Sequence, residues 1–338
     1  MTAALAIIWY GLAALLLASF VLADGFDLGA GMLYGFERDM QRRERMLRAI
    51  APVWGGSEIW LLAAMAAVLV AFPAVYSTFV RGFAPLLIVV LAALLFRAIG
   101  IELRMRTSRG RISAALDLLI VVGSFVPALA FGLIGAALLE GLPIDGRGVM
   151  QGSVLLTLNS FSVMAALASG AAFALHGALF LAMRTTGEFR DQLEGWSRTL
   201  LAVVGLLLVA GGLWSRSVLH ARYATSAVMP LFWIGVVVGL IAYASVWVDL
   251  KFERRAAAFA GSCVGIVCIA LCSASLLFPL LIPSTLDPSF SLSLGNSAAP
   301  ADSLLRALVG AAVVIPLVLV YVYFSYRSLG RRRKNFKV

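Results

Sequence analysis

Charge is scarce in this sequence: 13% of its 338 residues are Asp, Glu, Lys or Arg, 62% are hydrophobic, and mean hydropathy is +0.99. A soluble domain of that length needs far more polar surface, so one or two water-soluble domains are excluded and the bilayer is the expected solvent. Histidine is scarcer still. Of the two present, only His176 falls within an apolar stretch and His220 sits at the edge of another. Paired imidazole ligation inside a membrane, the arrangement that would hold several haems, is therefore excluded. The three cysteines, Cys263, Cys268 and Cys272, all lie in one apolar stretch, so no disulfide framework can be built. Cys268 and Cys272 are four apart and share a helical face, which fits a metal pair or the packing of small side chains. Low-complexity segments and strong internal repeats are also missing.

What is present is a series of long apolar runs. A hydrocarbon core of about 30 Å takes about 20 residues of helix. The expected fold is an all-α, polytopic bundle of about nine transmembrane helices, near residues 4–34, 51–72, 83–103, 112–139, 155–183, 200–220, 227–248, 256–281 and 307–324. The first run is too long for a cleavable signal and lacks a basic start, so none is expected. Basic residues fall in short runs between the apolar ones, a pattern of membrane topology rather than of nucleic-acid binding. Numbered by the gaps after each helix, 21 of the 27 lie on one side, including a basic tail over 327–338. The amino terminus is thus expected outside, and the tail in the cytoplasm of a bacterial inner membrane. The polar connection Pro283–Asp302 reads as a loop covering the outer surface.

Charges inside a bilayer are costly; they pair, face a cavity or lie on an ion path. Counted from the nearest basic boundary at about 1.5 Å per residue, Asp27 lies about 16 Å in, Asp24 about 20 Å and Glu58 about 15 Å. Arg97 comes out at about 10 Å, Asp117 at about 9 Å and His176 at about 12 Å. Asp24 and Asp27, three apart, occupy one helix face. Two readings fit the group: a proton-conducting cluster open to the cytoplasm, or an ion-pair network around Arg97 that holds the helices in register. Asp117 fits simple snorkelling, and His176 fits a hydrogen-bonded packing role better than that of a lone ligand.

The run Asp24-Gly25-Phe26-Asp27-Leu28-Gly29-Ala30-Gly31-Met32-Leu33 resembles the signature DGFDLGxGML of cytochrome bd quinol oxidase subunit II. Further blocks resemble the same family: Ala51 to Leu62, Phe96-Arg97 with Glu102 and Arg104, His176-Gly177-Ala178, Arg184 to Glu188, Phe278-Pro279 and Pro283-Ser284. The resemblance spans nearly the whole chain. It implies a complex that oxidises quinol and reduces dioxygen to water, with the b- and d-type haems and the quinol site in a partner, subunit I. It implies no directly bound metal here, acidic residues in a cytoplasmic proton route, a structural quinone in some members, and a small single-helix third subunit as a candidate partner. Trp60 stands where some members have a Trp near a proposed oxygen channel. Arg97, Glu102 and His176 are expected in ion-pair or supporting roles.

One departure changes the carry-over. The family usually has Trp-Asp-Gly-Asn in the second block, with the Asp on the proton route; here the run is Trp54-Gly55-Gly56-Ser57. Glu58 lies three residues further on, on nearly the same helix face, and is expected to take over the relay with Asp24 or Asp27. The Gly-Gly pair equally fits close helix packing. Two other classes remain open: a proton-coupled secondary transporter, with breaks at Pro127 and the glycines, and a purely structural membrane subunit.

Overall fold

The computed structural model describes all residues except 52–57, 108–109 and 333–338, with the side chains of 58, 225 and 321–332 also outside the description. Among the described residues thirteen α-helices follow one another: α1 (Thr2–Tyr34), α2 (Met40–Ile50), α3 (Glu58–Ala71), α4 (Pro73–Gly82), α5 (Ala84–Arg104), α6 (Arg111–Glu140), α7 (Ser160–Arg184), α8 (Glu188–Val218), α9 (His220–Thr225), α10 (Met229–Lys251), α11 (Arg255–Leu277), α12 (Leu294–Ser297) and α13 (Ala301–Arg332). Among the described residues, eight helices are long and apolar enough to cross a membrane: α1, α5, α6, α7, α8, α10, α11 and α13. The second expected span corresponds to α3, a shorter apolar helix.

The differences from the hydropathy reading have local causes. The fifth helix starts at Ser160 rather than 155, because Asn159 caps it by accepting from the Ser162 N–H; a short 3-10 turn, Val154–Thr157, precedes it. The sixth begins at Glu188, twelve residues early, since a polar amphipathic start adds nothing to hydropathy. The eighth ends at Leu277. Beyond it β1 (Leu280–Ile282) pairs antiparallel with β2 (Leu292–Ser293), which adds a small strand pair to the otherwise helical fold. Pro127 does not break α6, which is continuous through it.

Helix α1 is the axis of the bundle. Every residue from Asp24 to Tyr34 is buried, as is every residue of α7 from Ala172 to Ala182. Helices α3, α6, α7 and α11 all pack against α1. Facing glycines set the α1–α7 approach. A Cβ on Gly29 would lie 1.8 Å from the Phe173 carbonyl oxygen, and one on Gly177 would lie 2.4 Å from the Ala30 nitrogen. Backbone approach of this kind is how helices pack without hydrophobic drive in lipid. At the end where α1 begins, the 283–302 connection ties back to the bundle. Ala299 donates to the Ala71 carbonyl at 2.9 Å, and just beyond the connection Trp9 Nε1 donates to the Leu304 carbonyl of α13 at 3.1 Å.

Candidate functional site

Two ionic clusters lie along one seam between α1, α5 and α6. The inner one joins Asp24, Asp27 and Arg97. The Arg97 guanidinium reaches Asp27 Oδ2 at 2.5 Å and Asp24 Oδ1 at 3.5 Å, and all three residues are at most 1% exposed. Position 97 admits an arginine because Gly123 of α6 lies against its backbone, where a Cβ would sit 2.5 Å from Arg97 Cβ.

The outer cluster gathers on Asp117 of α6. Tyr34 donates to its Oδ1 at 2.5 Å, Arg104 Nε to the same oxygen at 2.7 Å, and Arg43 Nη1 to Oδ2 at 3.1 Å. Asp117 is thus an anchored acceptor rather than a snorkelling group, and it does not join Arg97. Three spacings produce this two-storey arrangement: Asp27 to Tyr34, Arg97 to Arg104 and Asp117 to Ser124, each seven residues and so two helical turns. Ser124 lies against Gly31, which falls between Asp27 and Tyr34 along α1. It is fully buried, donates to the Ile120 carbonyl at 2.7 Å, and fills the space at Gly31, where a Cβ would come within 2.0 Å of its hydroxyl.

Beyond the outer cluster, Glu37 and α2 close the end of the seam. Glu37 accepts from the Arg38 and Asp39 N–H groups and from Gln192 of α8, while Arg43 Nε donates to the Glu37 carbonyl at 2.6 Å. Asp39 caps α2 by accepting from the Gln41 and Arg42 N–H groups. Those two backbone bonds hold its carboxyl below the usual carboxylate range.

The other expected residues are placed apart. His176 is fully buried, with Nδ1 2.7 Å from Ser262 Oγ and its ring stacked on Phe259 at 4.5 Å, beside Phe26. Glu102 is not part of the Arg97 network; it faces outward and pairs with Arg106 one turn on, because five residues of helix turn it away from Arg97. Trp60 is half-buried against the cluster that includes Leu5, Trp9 and Phe83. The side chain of Glu58 and residues Gly55, Gly56 and Ser57 lie outside the described residues. Cys268 and Cys272 pack against Gly239 and Gly235 of α10, and no group of three His, Cys, Asp or Glu among the described residues could hold a metal.

Residues 5–329 match the family described as cytochrome bd terminal oxidase subunit II. The chain belongs to that family. It is 28% identical to the cytochrome bd-I ubiquinol oxidase subunit 2 of Escherichia coli strain K12 over 360 residues, covering 97% of this chain and 95% of that one. It is 30% identical to the probable cytochrome oxidase subunit 2 of Haemophilus influenzae over 362 residues, with the same coverage. Its fold is similar to a chain in the structure of bd oxidase from Geobacillus thermodenitrificans, with a TM-score of 0.75 at 15% identity, over 96% of this chain and 98% of that one. The protein is therefore a multi-pass membrane subunit of a cytochrome bd terminal oxidase.

Such an oxidase carries haem, but this chain's histidines do not fit an axial haem ligand. The His176 ring has Phe259 against one face and Ser262 on Nδ1, inside the packed α1–α7–α11 core. His220 is exposed at the start of α9, with Nδ1 3.3 Å from the Ser217 carbonyl oxygen.

Proposed function

We propose that this subunit II supports a haem-bearing subunit I in quinol oxidation coupled to reduction of dioxygen to water, and that its seam of polar residues delivers cytoplasmic protons to that reaction. The observation that carries the second part is the Asp24–Asp27–Arg97 cluster. Two carboxylates are held deep among apolar helices, on a face that continues through Ser124 to the polar end of α1. Two carboxylates share one arginine there, and acids held inside a membrane mark proton relays as well as ion pairs. Glu58, at the start of α3, is proposed as the relay that replaces the acid absent at Gly55, with Asp24 and Asp27 assisting.

The topology belongs to the same proposal. Nine spans, counting α3 as the second, place the amino terminus outside and the Arg-rich α1–α3 connection, including α2, in the cytoplasm of a bacterial inner membrane. That puts the outer cluster on the side from which protons must come. The b- and d-type haems belong to subunit I. The test is quinol-dependent oxygen uptake by the intact complex carrying Asp27→Asn or Glu58→Gln. Slowed turnover with the haem spectrum retained supports the proton route. Unchanged turnover in both variants ends it, leaving a scaffold role.

A further inference from the structure

The chain changes direction at the end of α3, and the turn leaves a cleft that the proton route does not use. Phe72 departs from helical backbone, and Pro73 begins α4, a position where its missing N–H costs nothing. Helix α4 is short and two-faced. Val75 and Thr78 are buried, Val75 and Phe79 pack in the cluster that holds Leu5, Trp9 and Phe83, and the Thr78 hydroxyl donates to the Gly148 carbonyl at 2.7 Å. That packing fixes the roll of the helix. Pro73, Tyr76, Ser77, Val80 and Arg81 are left on the other side, at the three- and four-residue spacing of one helical face. With Leu69 of α3 they line an open cleft of about 350 Å³.

The lining mixes the apolar Leu69, Pro73 and Val80 with the hydroxyls of Tyr76 and Ser77 and the Arg81 guanidinium. Among the described residues, none of those three polar side chains has a side-chain hydrogen-bond or ion-pair partner. Two other arginines at this end are occupied: Arg147 lies 3.7 Å from Asp145, and Arg222 Nε donates to the Leu139 carbonyl at 3.1 Å. A guanidinium offers a planar fork of N–H donors that fits a pair of phosphate oxygens, and hydroxyls add further donors. Leu69 is exposed near the end of an apolar helix, where hydrocarbon gives way to headgroups. The matching ligand therefore carries an anion and a hydrocarbon part together. We propose that this cleft binds one phospholipid of the outer leaflet. Its phosphodiester sits on Arg81, Tyr76 and Ser77, and its glycerol and first acyl carbons lie on Leu69, Pro73 and Val80. A free phosphate ion would leave the apolar half of the lining unused. The choice of leaflet rests on the topology proposed above; the occupancy of the cleft does not.

Native mass spectrometry of the intact complex reads that occupancy. Wild-type complex purified in mild detergent is expected to retain one more phospholipid than Arg81→Gln, with Arg147→Gln matching the wild type. Tyr76→Phe and Ser77→Ala remove only a hydroxyl and should weaken retention in the same direction, which keeps the test decisive should Arg81→Gln assemble poorly. Delipidated wild type is then titrated, in detergent micelles, with dioleoylphosphatidylglycerol, with dioleoylglycerol, which has the same tails and no phosphate, and with inorganic phosphate. Binding of the phospholipid alone, several-fold weaker in Arg81→Gln, supports the site. Equal binding of dioleoylglycerol overturns it, because the cleft then holds hydrocarbon without reading the headgroup. Binding of inorganic phosphate as well as the lipid overturns the lipid assignment. Equal phospholipid retention by the wild type, Arg81→Gln, Tyr76→Phe and Ser77→Ala overturns the proposal outright.

Discussion

Gly29 of α1 and Gly177 of α7 meet backbone to backbone at the centre of the bundle, where added Cβ atoms would fall 1.8 Å from the Phe173 carbonyl oxygen and 2.4 Å from the Ala30 nitrogen. Neither neighbour is a side chain that can swing aside, so the helices themselves would have to part. Gly29→Ala is therefore expected to cost at least the about 1–3 kcal/mol of ordinary overpacking, seen as a lower melting temperature and yield of the complex. Gly205→Ala in α8, where a Cβ meets nothing within 4 Å, is the matched control. It should be neutral or stabilising by up to about 1 kcal/mol, the helix-propensity difference. Equal effects of the two would contradict the contact.

Arg97→Gln leaves two acids buried without their cation. Breaking a buried ion pair from one side costs about 3–5 kcal/mol, so the variant should accumulate poorly, as judged by the amount of assembled subunit in membranes. Adding Asp27→Asn removes the orphaned charge and should restore part of the yield. A double variant no better than Arg97→Gln alone would show that the ion pair does not govern assembly.

Much of this site was legible from depth along the helices. Counting residues put Asp27 and Arg97 a few ångströms apart in depth, a gap that a long arginine side chain covers, and the DGFDLGAGML run coincides with the fully buried half of α1. Glu102, expected in an ion-pair or supporting role, pairs with Arg106 on its own helix, because helical phase turns it away from Arg97. The short α2 was missed because its eleven residues bury only Met46, Leu47, Ala49 and Ile50 while its arginines dominate the hydropathy. Ser262 as the partner of His176 was out of reach, because 86 residues separate them and nothing local pairs α7 with α11. The outer cluster did leave a signal, the repeated spacing of seven on three helices, which becomes meaningful once α1, α5 and α6 are known to be neighbours.

The cap on α2 gives a pH dependence. Asp39 accepts two backbone N–H bonds as a carboxylate, and its proton affinity is lowered accordingly. A lowered folded-state value stabilises α2 fully above the ordinary carboxylate range and is lost as pH falls through Asp39's own, lower value. Asp39→Ala should show the low-pH behaviour at neutral pH: faster amide exchange across residues 40–50. Exchange unaltered by the substitution would mean that packing of Met46 and Ile50, not the cap, holds the helix.

Ser124 is the sharpest test of whether the two clusters communicate. Two turns of helix separate them by about 10 Å, too far for direct proton transfer, and the Ser124 hydroxyl lies in the seam beside Gly31, which falls between Asp27 and Tyr34 along α1. A hydroxyl can accept a proton on its oxygen while passing its own onward; a methyl cannot. Ser124→Ala barely changes volume, so the complex should assemble with its haem spectrum intact, while oxygen uptake falls several-fold and its slowing in D2O changes. Ser124→Gly leaves room for a water in place of the hydroxyl and should recover part of the rate. If the clusters serve only to pin α1, α5 and α6 together, both variants will turn over like the wild type, because Ser124 bonds only to the carbonyl of its own helix and joins neither ion pair.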